Sequence, residues 1–319
     1  MGSPDFAVPS LRRLLADHQV VGVVTQPDRP AGRGRALRPP AVKEVALQAG
    51  IPSLQPPRLR DPGAAESIRQ WSPDLIVVAA YGQILRPEVL EIPRMGCVNV
   101  HASLLPRWRG AAPVQAAILY ADEVTGVTLM QLDPGMDTGP ILAQRTLPIL
   151  PDDTGGILSA RLAEAGADLL HETLPAYIGG SLHAVPQDEA KVTYAPLLSK
   201  ADGAVDLVRS AKYLARQVRA FEPWPGSYLE WSSRRLVIRR AHAEGDEPQE
   251  VGRVRVVEGF PAIGTGAGLL VLDVVQPAGR TEVRGDAFLR GARDFAGALL
   301  PSLGHHHSES PPGPGAFPL

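Results

Sequence analysis

Residues 75–80, Leu-Ile-Val-Val-Ala-Ala, form an apolar run with no polar alternation, and this run constrains the fold more than any other stretch. A strand without a polar face must be covered on both sides, the situation of a parallel strand between two layers of helix. Strand-like runs at 20–25, 97–101, 124–132 and 141–149 are interleaved with helical spacing at 6–17, 41–50, 64–71, 113–121 and 152–177. Strands alternating with helices predict an α/β fold with a doubly wound, mostly parallel sheet. Ligands of such sheets sit beyond the carboxyl ends of the strands, so the loops after residues 80 and 101 are where chemistry is expected.

A chain of 319 residues is large for one core, and two domains are expected. No apolar run approaches the length that spans a bilayer, and a start carrying Pro4, Asp5 and Pro9 is not a secretory signal. The single cysteine, Cys97, excludes an intrachain disulfide and a cysteine-based zinc site, so a cytoplasmic address away from membranes is expected. Within a buried strand Cys97 itself reads as a small core hydrophobe. The net charge of −2 does not announce a nucleic-acid binder, so any RNA contact must rest on local patches.

Asn99 and His101 lie two apart, so a strand turns both side chains to one face at its end. An Asn amide donates a hydrogen bond but takes no proton near neutrality, which suits it to a developing oxyanion. His101 can donate to the same oxygen or move a proton. Asp137, in the turn-rich segment 133–139, can fix the imidazole tautomer or accept a proton through water. Together they suit attack on a carbonyl-like carbon without a Ser or Cys nucleophile. The same types also suit a strand end, a satisfied buried histidine and a turn, and an isolated Asn-x-His leaves both readings open.

Asn99-Val-His101-Ala-Ser103-Leu-Leu-Pro106, followed by Gly126-Val-Thr-Leu-Met-Gln-Leu-Asp133-Pro-Gly-Met-Asp137-Thr-Gly, resembles the signature of the folate-dependent formyltransferases. Residues 104–113 (Leu-Leu-Pro-Arg-Trp-Arg-Gly-Ala-Ala-Pro), 25–34 (Thr-Gln-Pro-Asp-Arg-Pro-Ala-Gly-Arg-Gly) and 219–226 (Arg-Ala-Phe-Glu-Pro-Trp-Pro-Gly) extend the likeness to members that act on charged initiator tRNA. The resemblance implies a Rossmann-like catalytic domain over 1–180, a linker over 181–202 and a smaller OB-type β-barrel over 203–304 that binds tRNA. It implies transfer of a formyl group from 10-formyltetrahydrofolate, as co-substrate and without a metal, to the α-amino group of methionyl initiator tRNA. Asn99, His101 and Asp137 are then catalytic, and a monomer is expected. Gln83, Ile84 and Leu85, with Ser103, Leu104, Leu105 and Pro106, become the folate contacts. Arg107 and Arg109 could face the folate tail or tRNA phosphates, or simply cap their loop. The alternative within the family is a small amine acceptor, such as glycinamide ribonucleotide or an amino sugar nucleotide.

The remaining segments carry expectations of their own. Arg29, Arg33, Arg35 and Arg38 against the lone Asp28 make residues 26–40 either a mobile basic arm suited to phosphates or a solvated loop; the resemblance assigns Arg33, Arg35 and Arg38 to tRNA. In the family a short apolar strand precedes the Gly2-Ser-Pro turn and lies inside the sheet. Here Met1 falls where its last residue would be, so an open slot with two unpaired neighbours is expected, from a sequence that starts late. After a basic helix at 211–221, short alternating runs at 228–231, 235–239, 253–257 and 269–275 predict an antiparallel barrel, edged by Arg234, Arg235, Arg239, Arg240, Arg253 and Arg255. Residues 305–319 are low-complexity and expected to be disordered.

Overall fold

The computed structural model describes residues 1–31, 36–61 and 63–303. The chain opens with α1 (Val8–Asp17), β1 (Val23–Val24), an antiparallel hairpin of β2 (Arg29–Ala31) and β3 (Ala36–Arg38), α2 (Ala41–Gln48), β4 (Ser53–Leu54), α3 (Ala64–Gln70), β5 (Ile76–Val78) and α4 (Pro87–Leu90). It continues through β6 (Cys97–His101), β7 (Arg109–Gly110), α5 (Pro113–Leu119), β8 (Val124–Gln131), β9 (Ile141–Pro148) and α6 (Gly155–Ile178). Next come β10 (Tyr194–Ala195), α7 (Ala211–Ala220), β11 (Ser227–Trp231), β12 (Arg234–Glu244), β13 (Val254–Val257), β14 (Phe260–Gly264), β15 (Leu269–Pro277), β16 (Val283–Arg284) and α8 (Gly285–Gly291).

β5 and β6 pair in parallel, as the unbroken apolar sequence of β5 predicts, and β8 and β9 add to the β6 edge in antiparallel fashion. All five residues of β6 are buried. Behind it runs α6, and the contact is close because residue 166 is a glycine: a Cβ there would come within 2.7 Å of Val100 Cγ1. The strand that carries Asn99 and His101 is therefore backed by a long helix, which leaves the carboxyl end of β6 as the open end of the site.

β1 and β4 form a separate parallel pair, joined to the main sheet only through the start of the chain. Gly2 N donates to Val24 O at 3.0 Å, Ala79 N to Met1 O at 2.9 Å, and the Met1 ammonium to Val77 O at 2.6 Å. Met1 and Gly2 thus pair on both sides, as the end of an inner strand does. Ahead of Met1 a cavity of about 370 Å³ separates residues 20–24 from 75–77, with Leu11, Trp71 and Leu174 among its walls. The cavity fits the open slot expected from the sequence, but the unpaired neighbours expected beside it are met at Val24, Val77 and Ala79 by Met1 and Gly2. β1 shrinks to two residues where 20–25 was expected, because a strand edge facing a void has no ladder to extend. Burial pushes the Met1 amine down to about 6.

Three local expectations change. In its described part the basic arm is the β2–β3 hairpin rather than a structureless loop, with Arg29 opposite Arg38; Arg33 and Arg35 lie outside the described residues, as does the tail at 305–319. Asp152 and Asp153 do not form the first turn of α6. Thr154 is its N-cap, accepting from Ile157 N at 3.2 Å, while buried Asp153 accepts from Leu150 N and from the Arg161 guanidinium. The segment 181–202 is not a free connector either, since β10 pairs in parallel with β7.

The C-terminal strands form a six-stranded antiparallel sheet in the order β11-β12-β15-β14-β13, with β16 on β15. A bulge between Ile238 and Ala241 curves β12, and Trp231, Phe288 and Phe295 meet edge-to-face inside the resulting barrel-like domain. One apolar core runs from Val100 and Leu170 through Leu214 to Leu272, so the two halves share an interior. Arg216 Nε donates to Leu119 O and Arg219 Nη1 to Asp153 O across their boundary.

Candidate active site

β6 carries Asn99 and His101 two residues apart, with His101 at its carboxyl end, and the loop after β8 brings Asp137 to His101. The pairing fixes the register: Asn99 lies opposite Met130 and His101 opposite Thr128. His101 Nδ1 is 3.7 Å from Asp137 Oδ1. His101 Nε2 is 3.0 Å from Trp108 O, and a carbonyl can only accept, so Nε2 carries the proton. In the neutral ring the lone pair is therefore on Nδ1, facing Asp137. At 3.7 Å the two are within reach of one bridging water or of a small closing movement. The Asn99 amide has no hydrogen-bond partner among the described residues, is 9% exposed and is not sealed from solvent. It is a donor held in readiness next to a base.

Asp137 is held in an unusual shape. Its φ is +53°, the left-handed region that L residues other than Asn and Asp adopt rarely. Its Oδ2 accepts from Gly110 N at 2.8 Å. Asp133, read from sequence as the turn residue, does stabilise the turn, since its Oδ1 accepts from Gly135 N at 3.0 Å and from Thr138 Oγ1 at 2.6 Å.

The loop after β6 is fixed from below by Thr128, a residue that no sequence pattern singles out. Thr128 Oγ1 donates to Ser103 O at 2.6 Å and accepts from Leu105 N at 3.0 Å and from Gln144 Nε2 at 2.9 Å. Leu105 O accepts from the same Gln144 amide. Among the folate candidates, Ile84 is exposed and Gln83, Leu104 and Pro106 are half-buried. The side chains of Leu85 and Leu105 are packed inside at 6% and 3% exposure, and the buried Ser103 hydroxyl donates to Arg107 O at 2.6 Å. Those three side chains pack into the two loops and shape them from inside.

For Arg107 and Arg109, where the sequence leaves an anion contact and a loop cap both open, the structure shows partners within the protein. Arg107 pairs bidentately with Asp122 and lies 4.3 Å over the Trp108 ring. Arg109 is 1% exposed and is engaged by Gln187 and Glu189, the latter held below the usual carboxylate range by that guanidinium. Arg109 is sealed from solvent, whereas the Arg107 side chain stays partly exposed beside Asp122. Arg38 is exposed and forms no ion pair among the described residues. On the barrel, Arg239 pairs with Glu222 and Arg253 with Glu250, and Arg235 stacks over Tyr228; Arg234, Arg240 and Arg255 are exposed and form no salt bridge among the described residues.

Among the described residues, no group of three or more His, Cys, Asp or Glu side chains is placed to hold a metal ion, and no helix is long and apolar enough to cross a membrane. Burial pushes the Cys97 thiol up to about 12, which fits a core residue rather than a nucleophile.

Residues 2–174 match the formyl transferase family and residues 197–293 match the formyl transferase C-terminal domain. The chain is 49% identical over 304 residues to the methionyl-tRNA formyltransferase of Roseiflexus sp. (strain RS-1), covering 94% of each chain. It is 50% identical over 297 residues to the methionyl-tRNA formyltransferase of Halorhodospira halophila, covering 92% of this chain and 95% of that one. Among solved structures, the sugar 3N-formyl transferase WlaRD superposes with a TM-score of 0.64 at 18% identity, covering 88% of this chain and 97% of that one. A similar fit, TM-score 0.62 at 19% identity, is found to an N-formyltransferase from Helicobacter canadensis.

Proposed function

The chain belongs to the formyl transferase family, and from that membership we propose that it moves a formyl group from 10-formyltetrahydrofolate to the α-amino group of methionine carried by initiator tRNA. The reading is supported by the 3.7 Å approach of Asp137 to His101, on the strand that also carries Asn99, in a chain about half identical, over nearly its whole length, to methionyl-tRNA formyltransferases. The added C-terminal half does not itself discriminate between acceptors, since a sugar formyltransferase superposes on 88% of this chain. The tRNA reading rests on the close relatives and on the free arginines.

The folate supplies the formyl group, and the chain supplies its surroundings. Attack by the free amine on the formyl carbon places negative charge on the formyl oxygen, where the Asn99 amide donates. The amine loses a proton as the new C–N bond forms. His101 Nδ1, the unprotonated ring nitrogen, is the atom suited to take it, with Asp137 facing that nitrogen to stabilise the charged ring. The proton then passes to the departing folate nitrogen as the old C–N bond breaks. The exposed Ile84 and the half-buried Leu104 and Pro106 suit the faces of a flat ring, with Gln83 offering Nε2 at its edge while its Oε1 accepts from Leu59 N.

In this arrangement residues 1–180 are the catalytic part and 203–304 the part that faces tRNA, joined by 181–202. Arg38 on the hairpin, with Arg33 and Arg35, and Arg234, Arg240 and Arg255 on the barrel would meet phosphates. The test measures formyl transfer from 10-formyltetrahydrofolate to charged initiator tRNA, glycinamide ribonucleotide and an amino sugar nucleotide. Transfer to the tRNA is expected; transfer only to a small amine, or none, overturns the reading.

A further inference from the structure

We propose that Gln187, outside both family-matched regions, is a positioning residue for the reaction, acting with Arg109 to hold the loop that carries Asp137; this rests on the function proposed above. Both ends of the Gln187 amide are engaged in that hold. Its Nε2 donates to Asp137 O and to Gly139 O, both at 2.8 Å, so its two hydrogens bracket the backbone of the Asp137 turn. Its Oε1 accepts from Arg109 Nε at 3.1 Å and Nη2 at 2.9 Å. Arg109 has donors only, so it dictates which end of the amide faces it and which end is left for the loop.

Arg109 is itself fixed. It is 1% exposed, its guanidinium is paired with both oxygens of Glu189, and its backbone N donates to Thr193 O at 2.9 Å. The next residue, Gly110, donates to Asp137 Oδ2, and the previous one, Trp108, presents the carbonyl that takes His101 Nε2–H. Three consecutive residues, 108–110, thus govern the imidazole, the guanidinium and the carboxylate. β10, pairing with β7, ties all three to the segment 187–195. Gln187 completes the circuit by gripping the far side of the Asp137 turn. That grip is needed because Asp137 occupies the left-handed region, which an unsupported loop would leave. Without it the carboxylate still has Gly110 N but no longer a fixed distance to His101.

The test replaces Gln187 by Met, which keeps length and removes all four hydrogen bonds, and by Glu, which keeps the acceptor for Arg109 but turns an oxygen toward the two carbonyls. We expect kcat for formyl transfer to fall roughly 10- to 100-fold in both, with KM for donor and acceptor within about twofold and the melting temperature little changed. Independently of any substrate, the ring ¹⁵N resonances of His101 in the free protein should move in both variants. Unchanged kcat together with unmoved His101 resonances overturns the proposal. So does a loss of activity explained by loss of folded protein, or failure of both variants to fold, either of which makes Gln187 part of the scaffold alone. Wild-type protein without formyl transfer to any acceptor defeats the function proposed above, and the His101 resonances then decide for or against Gln187.

Discussion

The 3.7 Å between His101 Nδ1 and Asp137 Oδ1 sets what each variant of the site must do. Asp137→Asn keeps an acceptor for Gly110 N and a residue type that tolerates positive φ, so the turn survives while the charge is lost. Turnover should fall about a hundredfold or more with folding intact, as it should for Asn99→Ala and His101→Ala. Steady-state rates alongside circular-dichroism melts check this, and near-wild-type rates in any two of the three would refute the catalytic assignment. That Asn99 and His101 share a strand face was legible, because a period of two needs no tertiary information; the assignment of both, with Asp137, to catalysis came from the resemblance. Arg109 was not readable. An arginine beside a loop looks like an anion ligand until Gln187 and Glu189, about 80 positions away, are seen to enclose it.

Between elements, the decisive contact is the two-residue pairing of β7 with β10. Gly110 has a φ of +112°, and a Cβ there would lie 2.6 Å from Ala195 O. Gly110→Ala should therefore part the two strands, lowering the melting temperature by several degrees and slowing turnover as the Asp137 turn loosens; calorimetry and an activity assay on one preparation check both. Thr128→Val leaves the Leu105 N–H buried without its partner and should cost about 1–3 kcal/mol in denaturant unfolding. The order of helices and strands was legible, since apolar periodicity decides it. The pairing of 194–195 with 109–110 was not, because two residues carry no period and their partner is set by the fold.

For the molecule as a whole, the slot ahead of Met1 and the single core shared by both halves set stability. Burial takes the Met1 amine from its ordinary 8.0 down to about 6. Between those values the unfolded chain binds more protons than the folded one, so stability rises with pH from about 6 to 8 and the gain is lost below 6. The step is on the order of 2–3 kcal/mol. Urea unfolding from pH 5 to 9, compared with an Nα-acetylated chain that lacks this titration, isolates it. Lengthening the chain ahead of Met1 by four β-branched residues should raise the melting temperature, because an added strand would fill the cavity between residues 20–24 and 75–77. Replacing Arg234, Arg240 and Arg255 together by Gln should weaken tRNA binding and lower its salt dependence, read by titrations at several salt concentrations, with the melting temperature unmoved.

Cys97 lies two residues before Asn99 on the fully buried strand, with its thiol pushed up to about 12 and no second cysteine to compete. Attack on a disulfide reagent needs thiolate in contact with solvent, so the folded chain should label slowly and the rate should count how often this strand comes loose. The protein therefore carries a built-in chemical clock beside its reacting groups. Running that clock with and without bound folate would tell whether the ligand keeps the strand shut.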